Sequence, residues 1–599
     1  MAGYRDGGGD RPRRNPSRDR RGANDRGRAR KPGAPQDFLH ADLASMSVSR
    51  RALVKGAFGV CGVFTLARLA SYQIVDAGTY MKEADARRLS AQTLYAKRGT
   101  IYDRNGNVLA ASQECYNVFV NPSLITKKTR KKAIRALVDG LGMEEGDVED
   151  IVDRDGTFAY VKRQVDADDA EALMKKGIKG IDLEPTIKRV YPYGSLASQI
   201  LGIVNIDNEG VSGLEKYYDE VLTGKNGSLV RERGADGSFI AGGAYKKVPA
   251  TDGMDIVLTL DANIQRAAEE ATAEGVENSG AKYGSSIVCD PTTGEILAAC
   301  SSPTYDPTDL ANASNEDMNL RAVTDAYEPG SVFKTFVAAA ALETGKIKTS
   351  TVFNVPPQVK AGDDTVTDVD GRSANMSMDI REILRRSSNT GMVLVGQKLG
   401  ADAFAKDVID AFGFGKKTGI DFPGEITGLV KSRDEYDGGS LGAMSFGQSI
   451  AVPPVEMVHA MSALANKGVM TTPHFLKTRA GDEVDWTDGE TRAVSEETAS
   501  TLAELMKNVV DAGTGSGAQI AGYHISGKTG TAQRAVEGRL GYVEGHNMAS
   551  FMGFVSTEDP RVMCYVTLDG TPQQSYAATP VFKKIMETAL PALGIEPQE

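Results

Sequence analysis

Read from its start, the chain changes character abruptly. Residues 1–51 are mostly Arg, Gly, Asp and Pro with almost no apolar periodicity, and such a text cannot bury enough surface to order itself. From Ala52 it turns apolar: ALVKGAFGVCGVFTLARLASYQIV. As a helix, residues 52–72 would span about 31 Å, enough for the hydrocarbon core of a bilayer. Lys55 and Arg68 sit near its ends, where their stems can reach the interface. Residues 76–96 then read as a charged, Ala-rich helix. In RGTIYDRNGNVLA, residues 101–102 and 108–109 flank Asp103-Arg104-Asn105-Gly106. That is a hairpin signal, and its Asn-Gly pair predicts positive φ at both residues. Helical patterns and short strands, such as 158–161, alternate between 123 and 180. A strand at 228–233 closes this middle third, which reads as an α+β module without catalytic residues.

The C-terminal half is patterned more strongly. A helix is predicted over 263–278, with Asp261 as its cap. SSIVCDPTTGEILAACSSP alternates around a turn and sets Cys289 opposite Ile296, not Cys300, which disfavours a local disulfide. Ser331 opens an alanine-rich helical run that Gly345 stops. The helix MDIREILRR runs into a turn at Ser387-Ser388-Asn389. Strand-like Tyr523–Ser526 leads to Lys528-Thr529-Gly530-Thr531, and a last helix covers 576–590.

Charge sharpens the first boundary. Residues 1–55 carry fourteen Lys or Arg against six Asp, a net +8, which leaves −19 on the rest of a chain whose total is −11. Arginines ahead of the apolar span place the N-terminus in the cytoplasm and the remainder outside. No A-x-A-like cleavage site stands just after the span, so it reads as a single-pass anchor in the cell membrane and not a removed signal. A basic arm could also bind nucleic acid; beside a membrane span it reads as a solvated tail, and no nucleic-acid partner is expected. Five cysteines and five histidines show no metal-ligand spacing, so neither a metal nor another cofactor is expected.

The candidate chemistry centres on Ser331. Ser331 and Lys334 are one helical turn apart and share a face. A serine hydroxyl is a weak nucleophile and needs a neighbouring base, which a desolvated lysine can supply. Alone, S-x-x-K is a weak signal. Here S-x-N at 387–389 and K-T-G at 528–530 follow in order, the set that marks penicillin-binding proteins and class A β-lactamases. Gly522 to Thr529 also fits a phosphate-binding G-x-x-x-x-G-K-T loop. The polar, Gly-rich text before it and Gly530 after it argue against the strand and helix such a loop needs.

At this point the chain resembles the class B penicillin-binding proteins from about residue 50 onward. RGTIYDRNGNVLA, RVYPYGSLASQILGIV, YEPGSVFK, SSNTGM, FGFGKKTGIDFPGE, SFGQ and SGKTGTAQ carry the resemblance. YEPGSVFK with SSNTGM looks more like the division-specific, septal branch and its sporulation relatives than the elongation branch, where the second motif more often reads S-C-D. The resemblance implies an α+β multidomain fold: a tail at 1–51, an anchor at 52–72, a pedestal at 73–247 and a transpeptidase domain at 248–599. That last domain would hold a five-stranded antiparallel sheet flanked by helices, built from strands near 285–290, 295–301, 523–529, 548–556 and 561–568, plus a helical lobe. The implied reaction is peptidoglycan D,D-transpeptidation. Ser331 attacks, Lys334 is the base, and Ser387 relays a proton. Asn389 holds the substrate amide, while Lys528, Thr529 and Thr531 receive the terminal carboxylate beside Gly530. The N–H groups of Ser331 and Thr531 form the oxyanion hole. Expected partners are stem peptides, β-lactams, a membrane glycosyltransferase and other division proteins. A D,D-carboxypeptidase or β-lactamase-like hydrolase is the competing enzyme class, and a drug sensor or scaffold with a dead site the non-enzymatic one.

Overall fold

A computed structural model describes residues 49–234, 239–535, 542–556, 561–573 and 575–598. Nearly all of the basic tail therefore lies outside the described residues. The chain divides into two compact units, one up to Arg87 and one from Arg88 onward.

In the first unit a helix runs over Arg50–Ala70, and the Ser49 hydroxyl caps it by accepting from the Ala52 N–H. Helical backbone continues to Val75, giving 26 residues that include an 18-residue window of mean hydropathy 1.5, long and apolar enough to cross a membrane. Phe58, Val60 and Phe64 are each more than 70% exposed, an apolar surface that water would not favour. A second helix covers Ala77–Arg88. The helix expected over 76–96 stops there: Leu89–Leu94 is a strand, paired antiparallel with Gly227–Glu232. Its partner lies far along the chain, so local helical propensity could not report it.

The second unit is built on a five-stranded antiparallel sheet in the spatial order Ile296–Ser302, Tyr283–Cys289, Met563–Thr571, Tyr542–Val555, Ile525–Ala535. All five expected strands are there, and Cys289 does pair with Ile296. Alternate residues point to opposite faces. Val288, Leu297, Phe551 and Val566 pack with Phe582 under the helices Ala262–Ser279 and Ala578–Ala592. Ile287, Met552, Phe554 and Tyr565 join the larger core on the other face, which includes the helices Lys334–Glu343, Pro454–Ala465 and Glu496–Ala512. The five cysteines are free.

A seven-stranded sheet belongs mostly to the middle third. Val108–Val120 pairs with both Ala159–Asp166 and Ile181–Val190, and Ile134, Leu137, Val148 and Leu173 of three helices cover it. This sheet extends through Ile101–Tyr102 to Ile256–Leu258 and on to Leu476–Arg479. The C-terminal half thus lends it strands. At the 103–106 turn only Gly106 has positive φ, at 85°. Asn105 is spared because Asp103 organises the turn, its Oδ1 accepting the N–H groups of Asn105 and Asn107 at 2.9 and 2.8 Å. The turn also grips the next region: Asn105 Nδ2 donates to Asp261 at 2.8 Å, and the Arg104 N–H donates to Leu260 O at 2.9 Å.

Candidate active site

Three segments meet around Ser331. Pro329-Gly330 brings the chain in, with Gly330 at φ 55°. A Cβ on Gly330 would lie 2.5 Å from Thr531 O, so this turn abuts the sheet's edge strand through bare backbone. The helix expected to open at Ser331 begins instead with a 3₁₀ turn, Gly330–Phe333, and becomes α-helical at Lys334. In 3₁₀ geometry residues three apart eclipse one another, which keeps Ser331 and Lys334 on one face. Lys334 to Ala341 are all buried, as expected for a helix apolar all round. Lys334 is the charged exception.

The second segment meets that lysine. The helix Ile380–Arg386 ends on Ser387 in the left-handed conformation, φ 57°. Ser388 then caps the helix Asn389–Leu399, its Oγ accepting from the Gly391 N–H at 3.0 Å and donating to Asp368 at 2.8 Å. Asp368 also accepts the Thr390 N–H at 2.9 Å and pairs with Arg372 at 2.9 Å. Burial pushes the Asp368 carboxyl up, but these donors outweigh it and hold it below the usual carboxylate range. The turn so fixed aims three oxygens at Lys334 Nζ: Ser387 O at 2.6 Å, Asn389 Oδ1 at 2.7 Å and Ser387 Oγ at 3.3 Å.

The third segment is the edge strand Ile525–Ala535. Lys528 Nζ donates to Ser387 Oγ and to Thr529 O, both at 3.0 Å. Thr529 Oγ1 lies 2.7 Å from Thr514 Oγ1. A Cβ on Gly530 would meet Ser550 Oγ at 2.3 Å and Pro329 O at 3.0 Å, so the strand can lie against the Ser331 turn only with glycine there. Lys528 sits inside a strand, not at a helix N-terminus, which removes the phosphate-loop reading of 522–529.

Ser331, Ser387, Asn389, Thr529 and Thr531 line one cleft of about 640 Å³. Lys334 and Lys528 are fully buried beneath it, and Gly530 packs behind. Every residue singled out in the sequence is therefore brought to one place. Burial pulls the Lys334 amine well below its usual range, the Lys528 charge pulls it further, and Asp368 opposes both. Burial alone brings Lys528 to about 7. A neutral Lys334 has two N–H donors. Ser387 O and Asn389 Oδ1 can only accept and would use both. The lone pair is then left for a hydroxyl proton.

Asp368, Arg372, Thr514 and Gln448 also belong to the site or its support, and sequence reading did not find them. The SFGQ segment around Gln448 was a usable signal; nothing near Asp368 ties it to residues twenty positions on.

Comparison with known proteins matches residues 284–587, just over half of the chain, to the penicillin binding protein transpeptidase domain. Residues 93–258 match the penicillin-binding protein dimerisation domain. The chain belongs to the class B penicillin-binding proteins. It is 33% identical to the "Probable peptidoglycan D,D-transpeptidase PenA" of Neisseria meningitidis, over 92% of this chain and 94% of that one. It is 32% identical to stage V sporulation protein D of Bacillus subtilis, over 93% and 88%. The crystal structure of penicillin binding protein 3 from Mycobacterium tuberculosis complexed with aztreonam is 27% identical, with a TM-score of 0.66 over 85% of this chain and 99% of that one. The three segments around Ser331 thus sit within the transpeptidase domain of a class B penicillin-binding protein.

Proposed function

We propose that this penicillin-binding protein is a serine D,D-transpeptidase of septal wall synthesis. The observation that carries the reading is a chain of hydrogen bonds of 2.6–3.3 Å, in which Lys334 meets Ser387 and Asn389 and Lys528 meets Ser387, under a cleft lined by Ser331.

Neutral Lys334 takes the Ser331 proton as Oγ attacks the penultimate D-Ala carbonyl. The N–H groups of Ser331 and Thr531 receive the oxyanion. As the tetrahedral centre collapses, Ser387 passes a proton to the departing D-Ala amine. Lys528, Thr529 and Thr531 hold the terminal carboxylate. An amine of a second stem peptide then takes the acyl group and restores Ser331. Among the described residues lining the cleft, the carboxylates are Asp364 and Asp368. Asp368 is committed to Arg372, Ser388 and Thr390, and Asp364 is exposed. Neither is a buried base beside Ser331 for hydrolysing the acyl-enzyme, which favours transfer over a carboxypeptidase or β-lactamase.

The wider reading follows the same line. Residues 1–51 are a cytoplasmic tail and 52–72 the anchor. Residues 73–247 are a pedestal and 248–599 the extracytoplasmic transpeptidase. β-Lactams acylate Ser331, and a membrane glycosyltransferase with other division proteins supplies the strands. Septal function rests on YEPGSVFK and SSNTGM. Likeness to a sporulation protein supports a second reading, use of the same reaction in spore formation. Localisation to the septum of vegetative cells separates the two.

The test of the reaction uses the full-length protein in detergent with a D-Ala-D-Ala pentapeptide and an added amine. D-Ala release with an amide-linked product is expected. D-Ala release that yields only tetrapeptide acid, at any amine concentration, supports the hydrolase instead.

One pH effect follows from the paired lysines. Acylation needs neutral Lys334, so its rate rises with pH through the Lys334 titration. Removing the neighbouring cation in Lys528→Met raises the Lys334 pKa. The acid limb of the β-lactam acylation profile therefore moves to higher pH in that variant. An unmoved limb would mean that the Lys528 charge does not reach Lys334.

A further inference from the structure

The segment Ser445-Phe446-Gly447-Gln448-Ser449 has no part in the chemistry above, yet it is laced to the stretch that carries Ser331. The Gly330 N–H donates to Gly447 O at 3.0 Å. The Ser449 N–H donates to a Glu328 carboxylate oxygen at 2.9 Å. Tyr327 and Val452 exchange both backbone hydrogen bonds, at 3.1 and 2.9 Å. The approach leaves no room for a side chain, since a Cβ on Gly447 would lie 2.0 Å from Gly330 O.

Gln448 stands between two left-handed residues, Gly447 at φ 82° and Ser449 at φ 59°. Serine adopts that conformation at a steric cost, and here it accompanies a side chain that lines the cleft with Ser331. Three of the cleft's other polar side chains are already engaged. Asn389 Oδ1 serves Lys334, Ser387 Oγ faces both lysines, and Thr529 Oγ1 meets Thr514. The Gln448 carboxamide makes no hydrogen bond among the described residues. It carries donors and an acceptor in one plane, the complement of a peptide N–H and C=O.

We propose that Gln448 positions the donor peptide: its carboxamide hydrogen-bonds a backbone amide of the stem beyond the carbonyl that Ser331 attacks. This rests on the transpeptidase reading. A contact to a remote part of the substrate is used to orient the reacting carbonyl. A ligand without that remote amide gains nothing from it.

The experiment compares full-length wild type and Gln448→Met in detergent on two ligands. One is a D-Ala-D-Ala pentapeptide, the other 6-aminopenicillanic acid, a β-lactam with no acyl side chain. Gln448→Met should lose about tenfold in kcat/KM on the peptide, the equivalent of one hydrogen bond. Its acylation by 6-aminopenicillanic acid should stay within about twofold of wild type, because the lost contact is to the remote amide. Equal losses on both ligands would assign Gln448 to the shape of the Ser331 turn and overturn the proposal. No loss on either would overturn it too. Wild-type protein inert to both ligands would strike the transpeptidase reading itself, and this assignment with it.

Discussion

Replacing Lys334 with methionine should slow β-lactam acylation of the full-length protein by about 10²–10⁴-fold, the usual range for a lost general base. Methionine nearly matches the volume of lysine, so the buried helix Lys334–Glu343 keeps its packing. What goes is the amine. Ser387 O and Asn389 Oδ1 lose their donor, at about 1–3 kcal/mol for each acceptor left unsatisfied in the interior. The variant should therefore melt lower yet still fold. Stopped-flow acylation and thermal melting, run together, separate the two effects. Acylation within tenfold of wild type by a folded variant would mean that some other group takes the Ser331 proton.

The second large effect involves no residue that lines the cleft. Glu215→Ala should destabilise the protein by about 3–5 kcal/mol, the cost of breaking a buried ion pair by removing one partner. The Glu215 side chain is completely buried and joins two guanidinium groups that are nearly so. Arg189 Nε donates to its Oε1 at 2.6 Å, and Arg98 Nε donates to its Oε2. Arg98 keeps Asp219 at 2.6 Å, which is partly exposed. Among the described residues Arg189 keeps only backbone acceptors, Gly99 O at 2.8 Å and a longer contact to Arg98 O. Arg98 would then keep one carboxylate, and Arg189 would be a buried cation with none among the described residues. Denaturant unfolding of the full-length variant checks this. A loss below about 1 kcal/mol would show that water enters and solvates the arginines. The cluster explains RGTIYDRNG physically: Arg98 opens the segment and is the centre of the charge network, while Asp103 and Asn105 hold the following turn.

What the sequence disclosed and what it hid divide along chain distance. The hairpin that pairs Cys289 with Ile296 was readable because its turn and both strands are contiguous. So was the helix Ala262–Ser279, whose Asp261 carboxylate accepts from the Asn263 and Ile264 N–H groups. The three motifs around the cleft were readable as an ordered set. Their junction was not: Lys528 reaches Ser387 across 141 residues, and only the fold makes them neighbours. Leu89–Leu94 was misread because its strand partner begins at Gly227. Asn105 was expected to have positive φ because turn statistics know nothing of the Asp103 carboxylate beneath it. Asp368 stayed hidden for a similar reason. It looks like one of several acidic residues in a polar hairpin, yet it fixes the turn that presents Ser387 and Asn389.

The central claim is that Ser331 becomes acylated in a site whose base is Lys334. Intact-mass measurement on the full-length protein, after exposure to a β-lactam and followed by peptide mapping, tests it most directly. One adduct per chain, with the mass of the opened β-lactam and carried by the peptide at Ser331, is the expected result, and Ser331→Ala should show none. An adduct that persists in Ser331→Ala, or that maps to another residue in the wild type, would contradict the account.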